Sequence, residues 1–210
     1  MVQAVPVDDL LACPRCGFSF NFLNIDGGQT YLCTGCEWRF ALGTPVINTP
    51  AVPATTVTAT NSSGSVVAVT ISGGTLTSVN VNGSQVGTVA GTYLVPVGGT
   101  IAITYSVAPA WAWALPQTSG ATSAGGTGLP VASGGTVFTA GQNLLVDTGT
   151  AAEVVQVVAG STGTNVAISA LVKGHGSAVH FGNLTTTPFL SSVQAVPAAS
   201  PYPASQPLTF

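Results

Sequence analysis

Residues 65–107 read SVVAVTISGGTLTSVNVNGSQVGTVAGTYLVPVGGTIAITYSV. Apolar and polar residues alternate with a period of two in short runs, and SGG, NGS and GGT turns separate the runs. Alternation of this kind puts one face of each strand in a core and the other in solvent, and no period of 3.6 interrupts it. Val79-Asn80-Val81-Asn82-Gly83-Ser84-Gln85-Val86 holds an Asn-Gly pair between alternating residues, the strongest short-range hairpin signal. With TVTAT at 56–60 added upstream, the pattern predicts an all-β sandwich of about six strands over 55–116. Trp111 and Trp113 stand two apart near its end and face one side of a strand, where they close the core or dock on a partner.

Upstream, TPVINTPAVP at 44–53 places three prolines in ten residues, which removes backbone donors and fixes φ, so 45–54 is expected to be an extended linker. Before it, residues 12–42 read ACPRCGFSFNFLNIDGGQTYLCTGCEWRFAL. The two C-x-x-C pairs, Cys13/Cys16 and Cys33/Cys36, are separated by sixteen residues, the spacing of a four-cysteine zinc site. Two intervening residues let both thiolates of a pair turn toward one ion, and Gly17 and Gly35 ease the turns. Four thiolates close a tetrahedron and leave no position for water, so the site is structural, and its binding energy is folding energy for so short a segment.

Phe18, Phe20 and Phe22 alternate between the pairs, Asp26-Gly27-Gly28 turns, and Thr30-Tyr31-Leu32 returns, a hairpin ribbon. The segment resembles zinc ribbons over about 10–42. CPRCG also resembles a rubredoxin iron knuckle, and a redox disulfide is a third reading without the surrounding βαβ pattern it needs. Stripping metal, or Cys33→Ser, is expected to disorder 10–42 while the sandwich stays folded.

Downstream, QTSGATSAGGTGLPVASGG at 117–135 reads as a Gly/Ser/Thr-rich linker. Residues 136–187 again alternate strands with glycine turns and are expected to form a second small β domain. From Thr185 to the last residue the chain holds five prolines and no charge, and 188–210 is expected to run as an extended arm that gains order on a neighbour.

Charged residues make up 4% of the 210, against about 25% in an ordinary soluble domain. Six of the nine lie in the first forty positions, and none occurs between Arg39 and Asp147. A net charge of −3 with a single lysine, Lys173, lacks the positive charge that drives nucleic-acid affinity. No apolar stretch reaches membrane-spanning length, and MVQAVPVDDLLACPRC lacks the pattern of a secretory signal, so folding in a cytoplasm is expected.

Three constellations carry possible chemistry. Leu145-Val146-Asp147-Thr148-Gly149-Thr150 matches the short aspartic-protease signature, but those enzymes need two such aspartates sharing a proton, and the chain has one copy. Asp-Thr-Gly is therefore read as a strand-ending turn. His175 and His180 in KGHGSAVH have no carboxylate or cysteine beside them in sequence to complete a metal site, and a surface or strand role is expected. Glu153 and Lys173 are isolated charges expected to pair across strands or between subunits.

ISGGTLTSVNVNGSQVGTVAGTYLVPVGGTIAITYSVAPAWAW, with its GGT hairpin, V-N-G turn, GGTI-x-I-T-Y strand and closing AP-x-W-x-W, resembles a small β domain of structural proteins of tailed bacteriophages, particularly those infecting actinobacteria. The resemblance covers about 55–115, and a weaker one runs from LLVDTG to VAISAL. It implies a virion component, with no catalytic residues. Together these readings predict an all-β chain with an N-terminal zinc ribbon at 1–44, an Ig-like sandwich, a second small β domain and an arm. The expected function is a capsid decoration (cement) protein made in the host cytoplasm. It would bind the major capsid protein and copies of itself, as in a trimer, on the outer shell, and no nucleic acid, membrane or small-molecule substrate. A minor tail or fibre protein is the alternative; a zinc-ribbon adaptor and a protease-like enzyme are remote ones.

Overall fold

The computed structural model describes residues 22–24, 30–33, 36, 39–148 and 151–188. As the alternation predicts, these residues form antiparallel β-sheets, with a short 3-10 turn at Gly135–Val137. The N-terminal strands β1 (Phe22–Asn24), β2 (Thr30–Cys33) and β3 (Arg39–Gly43) form a meander, with Phe22 opposite Cys33 and Leu32 opposite Arg39. The expected turn at 26–28 lies outside the described residues.

Seven strands follow: β4 (Thr58–Thr60), β5 (Val67–Ser72), β6 (Thr75–Val81), β7 (Ser84–Gly87), β8 (Gly91–Val95), β9 (Thr100–Val107) and β10 (Ala110–Ala114). They make two sheets, of order β10-β5-β8 and β4-β9-β6-β7. Val67, Val69, Ile71, Val95, Trp111 and Trp113 from the first interlock with Val79, Val81, Ile101 and Ile103 from the second. The tryptophans are therefore core, their rings edge-to-face at 5.6 Å. The seven strands exceed the expected six by one, and β10 is the strand on which Trp111 and Trp113 share a face. In an Ig constant domain the first strand pairs with the second and the last with the sixth; here β4 lies beside β9 and β10 beside β5, so the outer strands exchange sheets.

The Asn82-Gly83 turn connects β6 to β7 with both residues at positive φ, 50° and 78°, as a two-residue type I′ hairpin requires. Gly73-Gly74 connects strands of opposite sheets, not a hairpin. Gly74 has φ 68°, and a Cβ there would stand 2.6 Å from the Val107 carbonyl oxygen.

The remaining strands are β11 (Gly128–Pro130), β12 (Asn143–Val146), β13 (Glu153–Gln156), β14 (Asn165–Ala167), β15 (Phe181–Asn183) and β16 (Thr185–Pro188). β13-β12-β15 form one sheet and β11 pairs with β14. Their core, built on Leu129, Val131, Phe138, Leu144, Val146, Val155, Val166, Ile168 and Phe181, also contains Val66, Ala68 and Leu94 from the sandwich. At its Ala68–Leu94 end the β10-β5-β8 sheet is thus buried on both faces, which explains the unbroken apolar run VVAV at 66–69, while Thr70 and Thr92 farther along the same face are exposed.

Two expected linkers are held in place. In 117–135, Leu129 and Val131 are buried, and the backbone bonds of Thr118 to Val179, Thr122 to His175 and Gly125 to Leu171 lash the segment to 171–180. Backbone pairing supplies the order that its sparse apolar side chains do not. Residues 44–53 remain extended, but their carbonyls serve as acceptors: Trp111 Nε1 donates to Pro50 O at 2.9 Å and the Tyr105 hydroxyl to Pro53 O at 2.9 Å. A proline loses its donor and keeps its acceptor, so this stretch seals the sandwich without joining a sheet.

Of the expected C-terminal arm, Pro188 lies in β16, which pairs antiparallel with β3, Thr185 opposite Gly43 and Pro188 opposite Phe40. The N-terminal meander and the end of the described chain therefore share one four-stranded sheet, β1-β2-β3-β16. Residues 189–210 lie outside the described residues.

Candidate functional site

Two features meet at one end of the β12–β13 pair. The first is the second cysteine pair: Cys33 ends β2 and is fully buried, and Cys36 follows in a turn, half-buried. Cys33 packs with Leu42 and Leu145, and Cys36, Ala152, Val154 and Leu184 lie against this cluster. Leu145 and Val154 are cross-strand partners on β12 and β13, so the cysteine turn sits on the outer face of that sheet. Cys13 and Cys16 lie outside the described residues.

The second feature occupies the other side of the same strands. β12 ends at Val146, and Asp147 takes φ 68°, a left-handed turn of the kind expected of Asp-Thr-Gly. Its Oδ1 accepts from the Thr148 amide at 2.8 Å, and its Oδ2 lies 3.0 Å from His175 Nδ1. Glu153, first residue of β13, reaches the other ring nitrogen, with Oε1 2.5 Å from His175 Nε2. It also accepts from the amides of Val172 at 2.8 Å and Lys173 at 3.2 Å. The Lys173 ammonium donates to the Ala152 carbonyl at 2.8 Å. Side-chain exposure falls from 24% at Asp147 to 8% at Glu153 and zero at His175.

Burial pushes the Asp147 carboxyl up. The hydrogen bond from His175, the Thr148 amide and the electrostatic influence of His175 and Lys173 outweigh it, and Asp147 is held below the ordinary aspartate range. The carboxylates that sequence adjacency denied to His175 are supplied by the fold, from positions 28 and 22 residues away. His180 is not gathered with His175: it is exposed, with Nε2 2.8 Å from Gln117 Nε2. Because each His175 nitrogen already faces a different carboxylate, the ring has no lone pair aimed at a common point with His180. Among the described residues no group of three His, Cys, Asp or Glu side chains could hold a metal ion. Glu153 and Lys173 do meet, through the glutamate's bond to the lysine backbone.

A third polar feature escaped the sequence reading. Asn61, fully buried, donates to the carbonyls of Ser65 at 2.7 Å, Val95 at 3.1 Å and Pro96 at 2.9 Å, and accepts from the Ser63 amide and hydroxyl. The only hint was an Asn-Ser-Ser-Gly cluster, which reads as an ordinary turn.

A shallow cleft of about 300 Å³ opens where the β10-β5-β8 sheet meets the later strands, walled by Thr70, Thr92, Gln117, Ser133 and His180. No protein-family model, curated protein or solved structure matches the chain. No helix among the described residues is long and apolar enough to cross a membrane.

Proposed function

We propose that this chain is a structural protein of a bacteriophage virion, a decoration protein that lies on the outer capsid shell and stabilises it, with one structural zinc ion held by Cys13, Cys16, Cys33 and Cys36. The observation that carries the reading is the disposition of charge. Between residues 40 and 188 the chain has three charged side chains, Asp147, Glu153 and Lys173, and all three are drawn into one cluster around His175. The surface of this region thereby carries very little charge, with Asp147 and Lys173 only partly exposed and Val46, Val57, Val89, Val107 and Val172 more than half exposed. A surface of that kind gains little from electrostatic steering. It adheres through apolar burial and backbone hydrogen bonding over broad, repeated contacts, which a symmetric shell offers. The likeness of residues 55–115 to phage structural domains points the same way.

The donor set fits the metal. Cys33 and Cys36 are one half of a four-thiolate site, placed three residues apart across a strand end and a turn. The zinc would lock the turn that seats on Leu145 and Val154, a structural and not a catalytic task. The Ig-like sandwich and the C-terminal arm would supply the docking surfaces, against the major capsid protein and copies of the chain itself.

The test is the copy number of the protein in purified virions, measured by quantitative mass spectrometry against the major capsid subunit. Parity or a simple fraction is expected. A handful of copies would move the protein to the tail, and absence would overturn the virion reading.

A further inference from the structure

An ionised carboxylate can only accept hydrogen bonds, and a neutral imidazole has one N–H to give. His175 nevertheless has a carboxylate on each side, Asp147 Oδ2 at 3.0 Å from Nδ1 and Glu153 Oε1 at 2.5 Å from Nε2, and its side chain has no exposed surface through which water could mediate. Two ionised carboxylates and a neutral ring would leave one nitrogen lone pair facing a carboxylate at contact distance in a buried site. The geometry closes only if the three groups hold one additional proton, either as an imidazolium or as one protonated carboxyl.

We propose that Asp147, His175 and Glu153 share one buried proton, and that this proton closes a pH-sensitive latch fastening the 171–176 loop to the β12–β13 pair. Asp147 faces the imidazole from the end of β12 and Glu153 from the start of β13, and the charge of Lys173, on the loop itself, acts on Asp147. The 118–126 segment meets His175 through reciprocal backbone bonds of Thr122 and contributes no titratable side chain. No other charged residue occurs between 40 and 188, so the shared proton and Lys173 together balance both carboxylates.

The latch fastens more than its own loop. Thr122 N donates to His175 O and His175 N to Thr122 O, Gly125 N bonds Leu171 O, and Glu153 holds the amides of Val172 and Lys173. Losing the proton breaks one of the two imidazole contacts and sets a buried carboxylate against a lone pair. The loop and the segment bridged to it are then released from the strands together. Proton loss at high pH and protonation of both carboxylates at low pH open the same latch from opposite sides.

The test uses the full chain, labelled with ¹⁵N and ¹³C, and follows the imidazole nitrogens and the Asp147 and Glu153 carboxyl carbons by NMR across pH, with exposed His180 as internal reference. The expected result near neutrality is either two protonated ring nitrogens on His175 or one protonated carboxyl beside it. Backbone amide exchange at 171–176 and 118–126 is expected to accelerate together, tenfold or more, once that proton leaves. His175→Gln, whose side-chain amide cannot donate on both sides, is expected to show fast exchange in both segments at all pH values. A neutral His175 with one N–H between two ionised carboxylates at neutral pH would overturn the proposal. So would exchange in wild type that does not change when the ring titrates, a reading that does not depend on the variant folding.

Discussion

Asn61 shows how much one short polar side chain can hold. Its amide bonds three backbone carbonyls where the ends of the β5 and β8 strands converge, and its oxygen fixes Ser63. Truncation to alanine strands these groups in a fully buried site, and each unsatisfied buried group costs about 1–3 kcal/mol. Asn61→Ala is expected to lower unfolding free energy by roughly 2–4 kcal/mol, read as the shift of the urea midpoint at unchanged slope. Asn61→Asp should be worse, because a carboxylate would face three carbonyl oxygens; equal stability of the three proteins would mean that the network is dispensable. At Asp147 the sign of the pH effect follows from the direction of its shift. A carboxyl held low in the folded chain contributes stability that is complete above its unfolded value, near 3.8, and is lost as pH falls through the lower folded value. Asp147→Asn removes that contribution, so the gap in melting temperature between wild type and variant should be widest at neutral pH and narrow in strong acid. A gap independent of pH would place the variant's cost elsewhere. The same variant examines the short protease-like signature, since loss of a cleavage activity on substitution would be incompatible with a purely structural Asp147.

At the scale of elements, glycine positions that look alike in sequence differ in what they permit. Gly83 occupies the second place of the β6–β7 turn, and its Cβ position is open, so Gly83→Ala meets only the left-handed backbone penalty of about 1–2 kcal/mol. Gly74 has nearly the same φ, but a methyl there would meet the Val107 carbonyl at 2.6 Å and the Pro109 backbone at 2.7 Å. Gly74→Ala is therefore expected to destabilise more than Gly83→Ala in matched denaturation curves, because the sheet-crossing connection must move away from β9 to admit it. The reverse order would show that the arch is free to relax. β10 carries a comparable contrast: its tryptophans are buried and its alanines exposed, so Trp113→Ala should cost about 3–5 kcal/mol. Ala112 tolerates polar replacement if the outer face of that strand is solvent.

The whole molecule is closed by a contact between distant parts of the chain. β3 and β16 are neighbours although some 140 residues separate them, and the cysteine turn that precedes β3 rests on β12 and β13. If zinc fixes that turn, its removal will loosen more than residues 10–42. Amide exchange should rise at β3 and also at β16, while the Val69–Ile103 core of the sandwich, which shares no cluster with Cys33, stays protected. Protection of β16 after chelation would show that β3 holds its place without the metal. The joint core of Val66, Ala68 and Leu94 with Leu129 and Phe181 makes a different demand. Unfolding of 55–116 and 136–187 should be a single transition by both fluorescence and calorimetry, since neither part buries its shared face alone.

The class of fold, the Asn-Gly hairpin and the burial of alternating faces were legible in the amino-acid order alone, because these follow from local backbone geometry and a period of two. That order also offered the four cysteines as a candidate set by their spacing, of which Cys33 and Cys36 fall among the described residues. Long-range contacts set which strand lies beside which, hold the Pro-rich and Gly-rich stretches by hydrogen bonds to their backbone, and bring Asp147, Glu153, Lys173 and His175 into one site. Those outcomes depend on contacts between residues far apart in sequence, and a chain with so few charges leaves no pattern by which to pair them in advance. The polar cluster became visible once β12 and β13 placed two carboxylates on opposite sides of a single buried ring.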